Sequence, residues 1–298
     1  MVEVNKILEK IKYESYVGNR ELLINEVVPI NKINNSKNAL SWCGDKNSEL
    51  LDNVNTNSVI IVGKNNSNVS GLKNYILVEN PRRAFQEILI LFFNKERQPS
   101  ISDSAVIADN VKIGKNVFIG HNVIIEEDCI IGDNTIILHN TTILFDTVIG
   151  NKVSIGSNNT IGGIGFGYEK NANGDFELIP HIGNVVIKDN VDIGNNTCID
   201  RAVLGSTILE ENVKVDNLVH IAHGVSVGRD SVVIANAMVA GSVKIGSNSW
   251  IAPSSSILNK KDVGDNSLVG MGAVVTKSIE ENTIVAGNPA KFIRKIEK

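Results

Sequence analysis

Cysteine is scarce in this sequence: three in 298 residues, Cys43, Cys129 and Cys198, odd in number and far apart. That spacing excludes a disulfide framework and a CxxC metal site and leaves buried small hydrophobes as the expectation. An excess of basic charge is also missing, since 33 acidic residues outweigh 29 basic ones. Without a basic field, neither a nucleic-acid backbone nor an anionic membrane surface is a natural partner. No apolar run approaches the roughly 18 residues that a spanning helix needs. The opening "MVEVNKILEKIKYESY" carries charges where a signal peptide needs its apolar centre, so the cytoplasm is the expected compartment. Aromatics make up only 5% of the chain and histidines number five, so local concentrations of either stand out.

What the chain does have is a period. Aliphatic residues recur every six positions from Ile101 through Ile107, Ile113, Ile119, Ile125, Ile131, Ile137, Ile143, Ile149 and Ile155 to Ile161. Glycine follows several of them, as at Gly114, Gly120, Gly132, Gly150 and Gly156, and the position two before is small or β-branched. A helix of period 3.6 cannot keep a six-residue register on one face, and a simple alternating strand does not call for a turn residue so often. After an interruption the pattern resumes at Ile187, Ile193 and Ile199, slips by four residues, and runs from Leu209 through Val215, Ile221 and Val227 to Val275. Stacked six-residue units predict a parallel β-helix in which each coil buries its aliphatics on the next. The period resembles the hexapeptide-repeat acyltransferases, and that resemblance implies a left-handed helix with three flat faces and about 18 residues per coil, hence eight to nine coils.

Residues 1–98 lack the period and read as a small α/β domain, with strands at "SVIIVG" (58–63) and "YILV" (75–78) and an Asn-Pro-initiated helix in "NPRRAFQEILILFF". The β-helix is expected over 99–280, with a loop insertion at 162–185, and a C-terminal cap over 281–298, as helix or strand, closing the last open coil.

Chemistry is expected where loops leave the solenoid. The insertion "GGIGFGYEKNANGDFELIPHIGN" holds Phe166, Tyr168 and Phe176 and reads as a hairpin turning at Asn173-Gly174; its aromatics either pack on the coil or also wall a substrate cleft. The stretch "VDNLVHIAHGVSVG" carries His220 and His223 around the inward Ile221. Histidine suits proton removal from an amine or hydroxyl near neutral pH. Adding 18 residues to His223 reaches Gly241, placed one coil above it, where a glycine lets a ligand approach and offers a backbone N–H to a thioester oxygen.

The runs "GFGY", "IPHIG", "CIDR" and "DNLVHIAH" together resemble the UDP-3-O-acylglucosamine N-acyltransferase family of lipid A synthesis. The resemblance implies His223 as the base that deprotonates a sugar amine, Gly241 as oxyanion donor, Asp216 or Asn217 orienting groups nearby, and His220 as a bystander. It places Phe166, Tyr168, His181, Asp200 and Arg201 at the substrate and puts Trp42 where an aromatic stacks on uracil. No second aromatic follows Trp42 in "CGDKNSELL". The end, "GMGAVVTKSIEENTIVAGNPAKFIRK", resembles hexapeptide sugar acetyltransferases instead, which implies a coenzyme A arm along Gly270, Gly272, Ala286 and Gly287 with Lys277, Lys291 and Arg294 at its phosphates.

The expected protein is thus a homotrimeric N-acyltransferase acting on a nucleotide-linked amino sugar. It needs no metal or tightly bound cofactor and uses acyl-CoA, slightly favoured by the C-terminus, or acyl carrier protein. A non-catalytic scaffold is the alternative from another class. A γ-carbonic-anhydrase-like zinc site finds no matching spacing among His121, His139, His181, His220 and His223, and the helical N-terminal domain of serine O-acetyltransferases is not seen.

Overall fold

A six-residue period with an aliphatic inward and a turn behind it leaves room for only two strand residues per face, and the computed structural model, which describes residues 1–66 and 68–296, shows that arrangement. The last two positions of the expected C-terminal cap therefore lie outside the described residues. The chain divides into two compact units, 1–96 and 97–298.

In the second unit, two-residue strands follow one another around three parallel sheets of 8, 9 and 11 strands. Each strand pairs with the one a coil away, Phe118-Ile119 on Ile136-Ile137 and His220-Ile221 on Met238-Val239, for example. The predicted ladder residues form one continuous core, with Ile119, Ile137, Ile161, Ile221 and Val239 wholly buried. Only the first coil departs, since Ile101 has no coil beneath it within the unit and is half exposed. Buried hydroxyls that alternate with the ladder are satisfied by the next coil: Thr141 donates to Gly156 O at 2.9 Å and Ser231 to Gly246 O at 2.7 Å.

The glycines after the ladder residues do not make the turns. A Cβ at Gly132 would stand 2.4 Å from the Gly150 carbonyl, so glycine is required there by the close approach of the coil above. The left-handed residue comes two positions later, usually Asn, as at Asn116, Asn122, Asn134 and Asn140 with φ of 56–58°. Leu218 occupies such a corner at φ 60° and is exposed. An L-residue without a short polar side chain loses about 1 kcal/mol or more in that conformation, and Leu218→Asn is expected to raise stability by about 1 kcal/mol, read as a higher thermal midpoint.

The departures from the period share one corner of the triangle, that between the 9-stranded and 8-stranded sheets. The insertion leaves this corner after Thr160–Gly163 and returns at Asn184–Ile187, and the four-residue slip falls between Cys198–Asp200 and Ser206–Leu209. His223 turns at the same corner one coil further on. The insertion is a hairpin, Tyr168–Lys170 antiparallel to Phe176–Leu178, with Gly174 at φ 87° in its turn. At the far end Thr283–Ala286 adds a parallel rung to the 11-stranded sheet, and Lys291–Lys295 folds back on it antiparallel, so the cap is a strand.

The first unit is a mixed five-stranded sheet in which Ala39–Cys43, Val59–Gly63 and Tyr75–Val78 run parallel side by side. The Asn80 side chain accepts from Arg83 N at 3.0 Å and Pro81 opens the helix Pro81–Ile88, as its Asn-Pro start predicts; a single π-turn, Leu89–Phe93, ends it. Among the described residues no helix is long and apolar enough to cross a membrane. Cys43 and Cys129 are buried as expected, but Cys198 is exposed because its strand position faces outward.

Candidate functional site

The period alone decides which histidine reaches the irregular corner. His220 is the outward residue of its two-residue strand, and His223, two positions past the inward Ile221, lies in the turn itself. Ser242 N donates to His223 O at 2.9 Å, which fixes Gly241 beside the ring a coil away. A Cβ on Gly241 would stand 2.6 Å from His223 Cε1 and 2.7 Å from Nε2, so the imidazole lies on the bare glycine backbone. Among the described residues neither His223 ring nitrogen nor the Gly241 N–H has a hydrogen-bond partner in the protein. A base and a donor are thereby left unspent side by side. Burial, and then the nearby charges of His181 and His220, hold the His223 pKa below the ordinary histidine value.

The other predicted residues separate into those that gather at this corner and those that do not. His181, at the return of the insertion, is 6% exposed and meets His223 edge to face, with ring centroids 5.4 Å apart. His220 is not isolated: its Nε2 stands 3.6 Å from Asp200 Oδ2. Burial raises the Asp200 pKa, with His220 and His181 opposing. Phe166 is 89% exposed on the hairpin, 5.0 Å from Tyr168, so these aromatics stand clear of the coil rather than packing down on it.

Three of the predicted residues are engaged elsewhere within the protein. Arg201 was expected at the substrate, but it is wholly buried. Its Nε donates to Gly162 O at 2.8 Å, Nη2 to Phe145 O at 2.6 Å and Nη1 to Gly183 O at 3.4 Å, and the guanidinium lies 3.5 Å over the Phe145 ring. Each of its three nitrogens thus donates to a backbone carbonyl, two of them at the ends of the insertion. Asn217 shares the hexad phase of His223 and Asp216 precedes it by one position, but both lie on the preceding corner. There Asp216 accepts from Asn217 N at 2.7 Å and Ala235 N at 3.2 Å, and Asn217 Oδ1 accepts from Asn195 N at 2.7 Å. They brace the turn and do not touch His223.

Sequence reasoning missed Gly165 and Phe85. A Cβ on Gly165 would stand 3.0 Å from both His181 Nε2 and His223 Cδ2, so any larger residue would crowd the two rings; the "GFG" run was visible, but not what faced it. In the first unit Phe85 lies 6.1 Å from Trp42, centroid to centroid, and both line a cleft of about 570 Å³ with Asn80, Arg82, Arg83, Gln86 and Leu89. The second aromatic comes from the helix instead of following Trp42 in sequence.

Of the C-terminal residues, Gly270, Ala286, Gly287 and Lys291 adjoin one another. Gly270 leaves no room for a Cβ, which would meet the Ala286 side chain at 2.9 Å, while Gly272, at φ 65°, faces open space. Lys277 lines a groove of about 350 Å³ with Ile279, Ala290 and Phe292. Lys291 and Arg294 are exposed on the last strand, where Lys291 pairs with Ala286 next to Gly287. Among the described residues no group of three or more side chains is placed to hold a metal ion.

Residues 110–144 match the bacterial transferase hexapeptide (six repeats) model. A UDP-3-O-acylglucosamine N-acyltransferase of Cytophaga hutchinsonii is 52% identical over 82 residues, 28% of this chain and 24% of its own length. A UDP-3-O-acylglucosamine N-acyltransferase 2 of Legionella pneumophila is 51% identical over 138 residues, 46% and 40% of the two chains. The matched stretches thus span well under half the length of these relatives. Among solved structures, the UDP-N-acetylglucosamine acyltransferase of Bacteroides fragilis superposes with a TM-score of 0.61 at 28% identity, over 66% of this chain and 74% of that one. The fold is the left-handed parallel β-helix of such acyltransferases.

Proposed function

We propose that this chain is an N-acyltransferase that moves an acyl group from a thioester carrier to the amine of a nucleotide-linked amino sugar. The observation that carries the reading is the His223 imidazole lying on Gly241 at the corner where the insertion converges, with neither its ring nitrogens nor the Gly241 N–H partnered among the described residues. The neutral ring takes a proton from the amine as the nitrogen attacks the thioester carbonyl, so that C–N bond formation and proton loss proceed together. The Gly241 N–H meets the oxygen as it gains charge. The C–S bond then breaks, and the imidazolium returns its proton to the departing thiolate.

Trp42 and Phe85 offer flat faces for a nucleobase, and Arg82 and Arg83, which line the same cleft, suit its diphosphate. The resemblance to the hexapeptide-repeat acyltransferases extends the proposal to a cytoplasmic homotrimer. The names of the relatives favour acceptors of the UDP-3-O-acylglucosamine type. They move the balance from the acyl-CoA branch, which the C-terminus favours in sequence, toward the lipid A reaction with a hydroxyacyl carrier protein as donor.

The test is thiol release from a panel of UDP- and dTDP-amino sugars, each paired with acetyl-CoA or with hydroxyacyl carrier protein. Release is expected with a UDP-amino sugar and the carrier protein. Release with acetyl-CoA alone would restore the other branch, and none with any pair would reject the activity.

A further inference from the structure

We propose that His181 is the positioning residue for His223, its ring edge forming the side wall of a slot that holds the His223 imidazole against Gly241. The inference rests on reading His223 as the base.

A general base must point at the proton it removes, and enzymes commonly fix an imidazole by hydrogen-bonding its second nitrogen to a carboxylate or carbonyl. His223 has no such bond among the described residues. Its orientation is therefore set by what surrounds it. Gly241 provides the floor, since the ring lies where a Cβ at that position would be. Gly165 closes one side, with the position of its missing Cβ 3.1 Å from His223 Cβ and 3.0 Å from Cδ2. His181 provides a further contact, with ring planes at 84°. Edge-to-face contact is directional, because the positive edge of one ring meets the negative face of the other.

His181 is itself held by a hydrogen bond. Its Nδ1 lies 2.7 Å from Ile179 O, and since a carbonyl only accepts, Nδ1 carries the hydrogen and donates. In the neutral ring Nε2 is then left with its lone pair, buried and without a partner. A buried acceptor left unmade costs stability, and a residue needed only to fill space is not served by that cost. Gly165 and Gly167 both pass within contact distance of this ring, so the insertion is shaped around it. The titratable groups around His223 are His181 from the insertion and His220 from its own strand, the latter paired with Asp200 on the neighbouring rung.

The proposal is tested in the full-length protein with His181→Ala and His181→Phe. NMR titration of the His223 imidazole without substrate is the first readout. In the alanine variant the His223 ring is expected to lose its fixed orientation and to titrate at higher pH than in the parent, because opening the wall lessens the burial that holds its pKa down. Phe, which refills the wall with a ring, is expected to recover both the orientation and most of the titration shift. In turnover, His181→Ala is expected to lower kcat roughly 10- to 100-fold with KM little changed, and Phe to recover most of kcat. Should the alanine variant not fold, His181→Gln takes its place, keeping a donor for Ile179 but no ring. A His223 titration and a kcat per folded molecule that match the parent in both variants would overturn the proposal. The NMR readout needs no activity, so it stands or falls separately from the role of His223 as base.

Discussion

Replacing His223 by alanine is expected to lower kcat/KM for acyl transfer roughly 100- to 10,000-fold while leaving the β-helix folded. The two halves of that expectation have different causes. The imidazole makes no hydrogen bond to the protein among the described residues and lies in a turn beside the wholly buried ladder residue Ile221, so the coil does not depend on it. The reaction does, because an amine must lose a proton as it becomes an amide. His220→Ala is expected to keep most of the rate, since that ring lies 3.6 Å from Asp200 and one strand position from the core, away from Gly241. The pH profile follows from the direction of the His223 shift. Burial, His181 and His220 lower its pKa, so the neutral base is populated at neutral pH and the acid limb of kcat/KM is expected below about pH 6.5. Circular dichroism and thermal midpoints check the fold, and thiol release across pH 5–9 checks the rest. Full activity in His223→Ala, or loss in His220→Ala alone, would reverse the assignment.

The β-helix was legible because one constraint repeats: every sixth residue must be aliphatic to meet the coil above, and no other architecture keeps that register from Ile101 to Ile161. The same counting placed Gly241 against His223, because strand pairing in this fold is a fixed sequence offset. Counting also fixes where Asp216 lies, seven residues before His223 and hence one face earlier. The resemblance grouped the two residues by motif, whereas the fold separates them by corner. Phe85 was not legible, since nothing in the helix sequence says which face meets Trp42. Arg201 was the hardest. A charged side chain beside Asp200 in a loop reads as a solvent-facing residue, and only the three-dimensional gathering of carbonyls from Phe145, Gly162 and Gly183 shows why it can be buried.

That burial makes Arg201 the residue on which the insertion depends, and Arg201→Met is expected to destabilise the protein by about 3 to 5 kcal/mol. Methionine fills a similar volume, so the loss is electrostatic and not a cavity. It leaves the Phe145 and Gly162 carbonyls without their donors and removes the cation from the Phe145 face, while the 3.4 Å contact to Gly183 adds little. Lysine is not expected to rescue the variant, because one ammonium cannot reach carbonyls on both coils and lie flat on a ring as a guanidinium does. Burial lowers the Arg201 pKa, with Asp146 and Glu126 opposing, so two acidic neighbours also lose their counter-charge. In a stacked solenoid each coil depends mainly on its neighbours, so the damage is expected first at the base of the insertion, between Gly162 and Gly183. Limited proteolysis should then cut within the hairpin Tyr168–Leu178 under conditions where the parent chain resists, and the thermal midpoint should fall by about 10 °C. Because the same carbonyls tether the loop that carries Gly165 and His181 to the corner of His223, acyl transfer is expected to fall as well, even at temperatures where the β-helix remains folded. An Arg201→Met protein with unchanged midpoint and unchanged cleavage would mean that the hairpin is held by its own strands and that the buried guanidinium is dispensable.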